Sequence, residues 1–473
     1  MALRDMSMCR GCLKKMIEID RLKEAIRGLK KQNHELREKL NCANRHINEK
    51  PFGSSTPSSK ELLKPSSDPS KQAKKGGARR GHKGYGRRKR PDRPRLHDKV
   101  VPAPTLCPYC GGPLAKPSRR RRELLNWRLA PPAVQPVIHE DCWCSHCRLT
   151  VRSPTPGALP GMLLDNQALA TVAQLHYMQG MTIGTLARIT GINKGTLIGA
   201  MHRLAEVLQP ALPVLCEELA SCSVIFADET GWRNDGRNGY AWMIRSFDTI
   251  AYRFCDTRAG TVPVELLGSD PLPGVLLTDR YAGYNRLDIS RQYCYAHLLR
   301  DLQDIGKQFP DDPEVNGFIE ALAPKLAQAM SLRDRKRTIQ GYLAEAGELK
   351  EQILEIVNSP AKHAAVQTFQ DIFRRNAERL YQWVEDPIIP PDNNMAERSL
   401  RPTVIARKIS FGSQSDRGAR TRSVIMSVLG TLKLRTHDPW LVLTGALDTF
   451  ARQPDRTAQI ADILFNEPTP TSV

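Results

Sequence analysis

Three carboxylate positions and two cysteine pairs are the residues of this sequence whose types and spacing could do chemistry. Residues 223–232, SVIFADETGW, carry the apolar run Val224, Ile225, Phe226 and Ala227, which stops at the acid pair Asp228 and Glu229. A short apolar run of this kind predicts a strand buried on both faces. A carboxylate at its last position is held rigidly and is costly unless a cation or a donor meets it. Residues 274–279, GVLLTD, repeat the pattern and close on Asp279. Two buried strands that each deliver an Asp predict a metal site. Further on, Asn393-Asn394-Met395-Ala396-Glu397 offers an Asn helix cap with a carboxylate within one turn. Asp228, Asp279 and Glu397 form the candidate catalytic triad. The cysteines form a second centre: Cys107-Pro-Tyr-Cys110 and Cys144-Ser-His-Cys147 can give four thiolates to one tetrahedral zinc. Gly111 and Gly112 allow the tight knuckle turn, and four protein ligands leave no open position, so this zinc is structural. Cys142 and His146 are substitutes that the spacing disfavours.

The acids need a sheet to hold them. Residues 239–245 (GYAWMIR) and 250–254 (IAYRF) read as an antiparallel hairpin pair after the first strand, followed by a short helix and the Asp279 strand. A first strand, a hairpin, a helix and a fourth strand beside the first is the ribonuclease-H-like order, which sets the two Asp side by side. Residues 293–297 (YCYAH) begin a helical stretch, and 301–385 read as helices throughout. That length exceeds a connection and predicts an all-helical insertion before Glu397. Cys294 and His297 are either half of a zinc site or a buried thiol beside a hydrogen-bonded His. Upstream, 166–208 read as helical, and TIGTLARITGINKGTLIGAMHRL matches a helix-turn-helix with a turn at Gly191 and Ile192. Its alternative is an ordinary helical pair; Lys194 would sit at the start of the second helix.

The chain's net charge of +20 is unevenly placed: residues 1–165 carry 36 Lys and Arg against 15 Asp and Glu, leaving −1 for the remainder. A basic front and a near-neutral body imply a polyanion, nucleic acid above all. No apolar run reaches the length of a membrane span, no signal peptide opens the chain, and Cys-x-x-Cys pairs among twelve cysteines favour zinc over disulfides, so a cytoplasmic protein is expected. Ile19, Leu22, Ile26, Leu29, Asn33, Leu36 and Leu40 alternate in steps of three and four. This predicts a parallel coiled-coil homodimer or higher oligomer, with a single amphipathic helix as the alternative. Cys9 and Cys12 before it read as free thiols. Residues 51–98 have almost no large apolar side chains, as in a disordered linker. Within it, 71–95 hold twelve Lys and Arg and one Asp. Lys74, Lys75, Arg79, Arg80, Arg87, Arg88, Lys89 and Arg90 are candidates for phosphate contacts made by counterion release. Arg119 to Arg122 add a second basic patch.

The ordered set CPYCGG, CSHC, ADETGW, TDRYAGY, CYAHLLRDL and DNNMAERSLRP, together with SVLGTLKLRTHDPWL, resembles the insertion sequence sixty-six family of bacterial transposases over nearly the whole chain. The resemblance implies a DDE transposase whose ribonuclease-H-like core is split by the helical insertion, and its roles fall on Asp228, Asp279 and Glu397. Two positions depart from the family: Arg280 follows the second Asp where Gly is usual, and Gly231 follows Asp-Glu-Thr where Pro is frequent. Phosphodiester cleavage and transfer use two divalent ions about 4 Å apart, and an all-carboxylate site suits Mg²⁺ or Mn²⁺. Asp228 would bridge both ions, while Asp279 and Glu397 each hold one. Arg398, Arg401, Arg407 and Lys408 belong to a DNA-facing wall, since 398–435 hold nine Lys and Arg and one Asp; Arg401 would clamp a phosphate or pair with Glu397.

The expected organisation is multidomain α/β. It comprises a coiled-coil dimerisation helix (13–48), a basic linker (49–98), a zinc-binding module (99–155), a helix-turn-helix-like DNA-binding region (160–215), a first part of the catalytic core (220–300), a helical insertion (301–388), the Glu397-bearing part of the core (389–425) and a C-terminal helical segment (426–473). Expected partners are the element's DNA ends, target DNA and small accessory proteins from the same element. A nuclease or resolvase would share the acids but not join DNA. A DNA-binding regulator, or an inactive copy acting as one, gives no reason for three convergent acids.

Overall fold

A computed structural model describes residues 97–126, 132–334, 338–453 and 460–465, with a few positions between 18 and 32. Among the last, 21–26 are helical, and Leu22, Ile26 and Leu29 are exposed. The other heptad positions, Cys9, Cys12 and the eight basic candidates from Lys74 to Arg90 lie outside the described residues.

Four strands build a first sheet: β1 (Lys99–Val101), β2 (Ser118–Asn126), β3 (Ala133–Cys144) and β4 (Leu149–Val151). β3 is central, parallel to β1 and antiparallel to β2 and β4. The Arg119 to Arg122 run is less free than its sequence suggests. Arg119 faces Glu140, Arg120 faces Asp141, Arg121 faces Asp98, and Arg122 donates to Thr155 Oγ1 and the Met162 carbonyl.

Helices follow. α1 (Asn166–Ala173) is capped by Asp165 and continues as a π-turn (Gln174–Met178). α2 (Ile183–Thr190) ends on Gly191 at φ 64°, a left-handed stop, and α3 (Lys194–Leu208) restarts with Asn193 accepting from Gly195 N–H. α4 (Ala211–Ala220) leads to the second sheet.

This sheet holds β5 (Val224–Asn234), β6 (Arg237–Arg245), β7 (Ile250–Cys255), β8 (Val275–Thr278) and β9 (Ser290–Tyr293) in the order β7-β6-β5-β8-β9. β5, β6 and β7 are antiparallel neighbours, whereas β8 and β9 run parallel to β5. α5 (Thr261–Leu267) makes the crossover from β7 to β8. The sequence places Asp228 at the end of β5, but the strand runs on to Asn234, because 229–234 continue the ladder with β6. Asp235 and Gly236 close that hairpin with φ of 50° and 76°, the two positive angles that a tight two-residue turn of this twist requires.

Four helices follow β9: α6 (Tyr295–Gln308), α7 (Pro313–Ser331), α8 (Ile339–Asn358) and α9 (Ala364–Arg375), closed by the short α10 (Gln382–Glu385). Their shared core includes Phe318, Leu322, Ile353, Phe369 and Phe373. Its base is fixed to β9 and the start of α6, where Gln292 Nε2 and Tyr295 Oη both donate to the Leu380 carbonyl. α11 (Asn394–Ser410), α12 (Asp416–Arg435), α13 (Pro439–Arg452) and α14 (Ile460–Phe465) complete the chain.

α12 is buried on every side from Thr421 to Leu432 and covers the free edge of β7. Its hydroxyls replace a missing strand. The N–H groups of Ile250, Tyr252 and Phe254 donate to Thr431, Ser427 and Ser423 at 3.1, 2.8 and 3.0 Å. Those residues recur every four positions, so they share one helix face. A hydroxyl can donate while it accepts: Ser427 donates to Ser423 O at 2.7 Å, and Thr431 returns a bond to Ile250 O at 3.1 Å. Gly430 permits the approach, since an added Cβ would lie 2.7 Å from Ile250 Cγ2. Arg422, also buried, lies between the rings of Tyr177 and Trp232 and donates to His176 Nε2. Burial and that guanidinium hold His176 down to about 4, so the ring is neutral and can accept.

Ser427→Ala leaves the buried Tyr252 N–H without an acceptor. It is expected to cost about 1–3 kcal/mol, read as a shift of the urea midpoint to lower concentration with unchanged slope.

Candidate active site and zinc centre

The parallel pairing of β5 and β8 ends at Phe226 and Leu277. Two residues beyond each of these positions the chains carry Asp228 and Asp279, which therefore emerge side by side at the end of the parallel ladder. Asp228 Oδ1 accepts from Glu229 N–H at 2.9 Å, and Asp279 Oδ1 accepts from Tyr281 N–H at 2.8 Å. Burial, then the charges of Glu229, Asp279 and Glu397, push the Asp228 carboxyl well above the usual carboxylate range. A cation beside it would reverse that cost.

Glu397 comes from the first turn of α11, and two sets of bonds fix that helix to β5. Asn393 stands at the cap position, yet its side chain does not cap the helix as the sequence suggests. Instead its Nδ2 donates to the Ala227 carbonyl at 2.8 Å, one residue before Asp228, and Asp392 accepts the Asn394 N–H. At the other end Arg407, expected on a DNA-facing wall, is buried and donates to Thr230 Oγ1 at 2.9 Å and Gly231 O at 2.5 Å. Its guanidinium is spent on the strand and cannot face DNA in this arrangement.

Cys294 resolves as a buried thiol. Asn393 N–H donates to its Sγ at 3.1 Å, and burial pushes it up to about 11. His297 turns toward the acids instead of bonding to that thiol: its Nε2 is 3.9 Å from Glu397 Oε1, and its buried Nδ1 has no hydrogen-bond partner. Arg300, one helical turn on, pairs with Glu397 at 2.6 Å, so Glu397 is held by α6 and not by Arg401. Arg398, Arg401 and Lys408 are exposed on α11, as is Lys194 at the start of α3.

Glu229 lies on the opposite face of β5 from Asp228. Its side chain is 2% exposed and accepts from Tyr284 Oη at 2.6 Å and from Arg258 Nη2 at 2.5 Å. Arg258 in turn stacks 3.9 Å from the Tyr281 ring centre. The sequence reading passed over Arg300, Arg258 and Tyr284. For Arg300 a signal existed, since His297 and Arg300 are three apart in a predicted helix and so share a face.

The cysteines meet as expected. Cys107, Cys110, Cys144 and Cys147 have Sγ atoms all within 4.8 Å of one another, with Cys107–Cys147 at 3.9 Å and Cys110–Cys144 at 3.7 Å. A tetrahedral zinc with bonds near 2.3 Å needs sulfur separations of about 3.8 Å, so the set fits that ion. Burial opposes ionisation of Cys107, but the N–H groups of Tyr109 and Cys110 outweigh it and lower the thiol to about 7. Cys142 is buried on β3 and stands outside the cluster. Among the described residues this is the one group of three or more such ligands packed so closely; the three carboxylates are not drawn together to that degree.

Cys144→Ser is expected to reduce bound zinc from about one per chain to near none by elemental analysis. The small core around these cysteines is separate from that of the second sheet, so the sheet's main unfolding transition should stay in place.

Comparison with known proteins gives related chains. A protein of Sinorhizobium fredii (strain NBRC 101917 / NGR234) designated uncharacterized protein y4jD is 23% identical over 409 residues, covering 78% of this chain and 80% of its own. A second from that strain, uncharacterized protein y4qI, is 27% identical over 326 residues, 60% of this chain and 59% of its own. The family model described as Transposase IS66 family matches residues 161–421. That interval takes in α2, α3, the whole second sheet, the helices between β9 and α11, and all three carboxylates, and on that match the chain belongs to the IS66 family of transposases.

Proposed function

We propose that this chain is a metal-dependent DDE transposase that binds the ends of its insertion sequence, cleaves them and transfers the freed strands into target DNA. The observation that carries the reading is that two devices bring Asp228, Asp279 and Glu397 near one another: the end of the β5–β8 ladder carries the first two, and the Asn393 bond to Ala227 ties the helix of the third to β5. Five strands with three antiparallel and two parallel to the first support a ribonuclease-H-like core. The donor set is all oxygen and its central member resists ionisation among like charges, which suits Mg²⁺ or Mn²⁺. Bound at these acids, such ions would activate the attacking oxygen and stabilise the leaving one.

The chain's own residues do the rest. Asp228 and Asp279 hold position on rigid strands. Arg300 and His297 meet Glu397 from α6 and orient it. No side chain is needed as a covalent nucleophile: water opens the transposon end, and the 3′-hydroxyl it frees attacks the target. Arg398, Arg401 and Lys408 offer charge to the phosphate backbone, with the basic segment 71–95 adding a sequence-independent grip. α2 and α3 form a helix-turn-helix whose second helix leaves Lys194, Gly195, Ile198 and Gly199 exposed. The heptad series pairs two chains, and the four cysteines carry structural zinc. The reaction takes place on the bacterial chromosome in the cytoplasm, with small accessory proteins of the element as further partners.

The test is a Mg²⁺-dependent assay on labelled DNA bearing the terminal repeats that flank the gene. Wild type is expected to cleave and to join the ends to a target plasmid. Asp228→Asn should lose at least about 10³-fold in both, consistent with removal of a ligand from a two-metal site, while still retarding the labelled DNA. Cleavage without joining would sink the transposase reading in favour of a nuclease; binding without chemistry would leave a regulator.

A further inference from the structure

α11 presents one exposed stripe. At 3.6 residues per turn, Arg398, Arg401, Ile405, Lys408 and Ile409 fall within about a third of the helix circumference, and all five are exposed. The stripe starts beside Glu397 and leads to Phe411, a residue 67% exposed. Positions 398–411 contain no Asp or Glu, so the partner that fits this face is a polyanion.

Phe411 is also held in an unusual backbone. Its φ is 61°, the left-handed region where glycine is ordinary and an aromatic residue is an outlier. Both sides of the turn are fixed. Phe411 N–H donates to Arg407 O at 2.9 Å, and Gly412 packs so closely on the Arg233 backbone that no Cβ would fit. Ser413 N–H then donates to Arg233 O at 2.8 Å, and its carbonyl accepts from Asp235 N–H at 2.9 Å. A ring that gains little from burial and sits on a strained backbone is kept for a contact outside the fold.

We propose that Phe411 is an apolar wedge that enters a base step of duplex DNA lying along the α11 stripe. Fourteen residues at 1.5 Å per residue put it roughly 21 Å beyond Glu397, or about six base pairs at 3.4 Å each. The ring unstacks a base of the transposon end at that distance from the scissile phosphate, as apolar wedges do in bent DNA. This rests on the transposase reading.

The experiment uses the full chain carrying Asp228→Asn, so that DNA stays uncut, with terminal-repeat duplexes in which 2-aminopurine is moved one position at a time. A several-fold fluorescence rise is expected at one position about six base pairs from the cleavage point, abolished by Phe411→Ala and kept by Phe411→Trp. Affinity should fall less than about tenfold, with an unchanged salt slope, since the phosphate contacts remain. Phe411→Gly separates the contact from folding: glycine suits the left-handed backbone, so this variant should melt no lower than its parent and still lose the signal. A complex that forms with no enhanced position, or a signal that survives Phe411→Gly, overturns the wedge. A signal that persists in Phe411→Ala while the sedimentation coefficient drops reassigns the ring to contact between chains and overturns it equally. Failure of the protein to bind the terminal duplexes at all would remove the transposase reading, and the wedge with it.

Discussion

The hydroxyl ladder between α12 and β7 is the constraint from which the rest of the core follows. β7 is the outer strand on its side of the sheet, and an unpaired edge leaves a row of backbone donors to be satisfied. Three hydroxyls at four-residue intervals do so without a sixth strand. The same helix reaches the neighbouring elements through the rest of its surface. Arg422 fixes His176 and Trp232, and Thr421 Oγ1 lies 2.7 Å from His202 Nδ1 on α3. The strand that carries Asp228 and the helical pair that precedes it are therefore referred to one buried rod.

α11 acts as the second reference. Its two ends are bonded to β5 on either side of Asp228, through Asn393 to Ala227 and through Arg407 to Thr230 and Gly231. Because both bonds reach backbone or a neighbouring hydroxyl of one strand, the helix cannot slide along β5 without breaking them. This explains how a long helical segment can sit between β9 and Glu397 without loosening the site. The segment leaves and returns at nearly the same point: Tyr295 N–H donates to Pro391 O at 2.8 Å, and Cys294 accepts from Asn393 N–H. Within the segment only α6 reaches the acids, through Arg300 and His297 on Glu397; the helices beyond it pack away from them.

Much of this was legible because it obeys local rules. The cysteine knuckles, four of the five strands of the second sheet and the helical run after β9 each follow from spacing or periodicity within a short window. What escaped depends on partners remote in sequence. Asn393 reads as a cap by type, and only the nearness of Ala227 diverts its amide. Arg407 reads as surface charge, and only the packing of α11 on β5 buries it. Arg119 to Arg122 read as a basic patch because the acids that face three of them, Glu140 and Asp141 on β3 and Asp98 before β1, are brought there by a register that the sequence does not display. The end of β5 was missed for a related reason: the apolar run marks where the strand is covered on both faces, and the strand itself outlasts its cover.

The charge arrangement around the acids bears on the proposal that a cation binds there. Glu229 is matched by Arg258, Glu397 by Arg300, and Asp301 by Arg280. Among the described residues Asp228 and Asp279 make no such pair, and each accepts one backbone N–H. The Asp228 carboxylate, buried beside the charges of Glu229 and Asp279, is costly to ionise, since burial and like charge act in the same direction. The surrounding arginines cannot relieve this without abandoning acids of their own, which would leave a buried Glu229 uncompensated. On the proposed function, the positive charge that offsets this cost would come from a bound divalent cation. Asp228, Asp279 and Glu397 would hold such an ion, which would supply charge to the attacking and leaving oxygens of a phosphodiester.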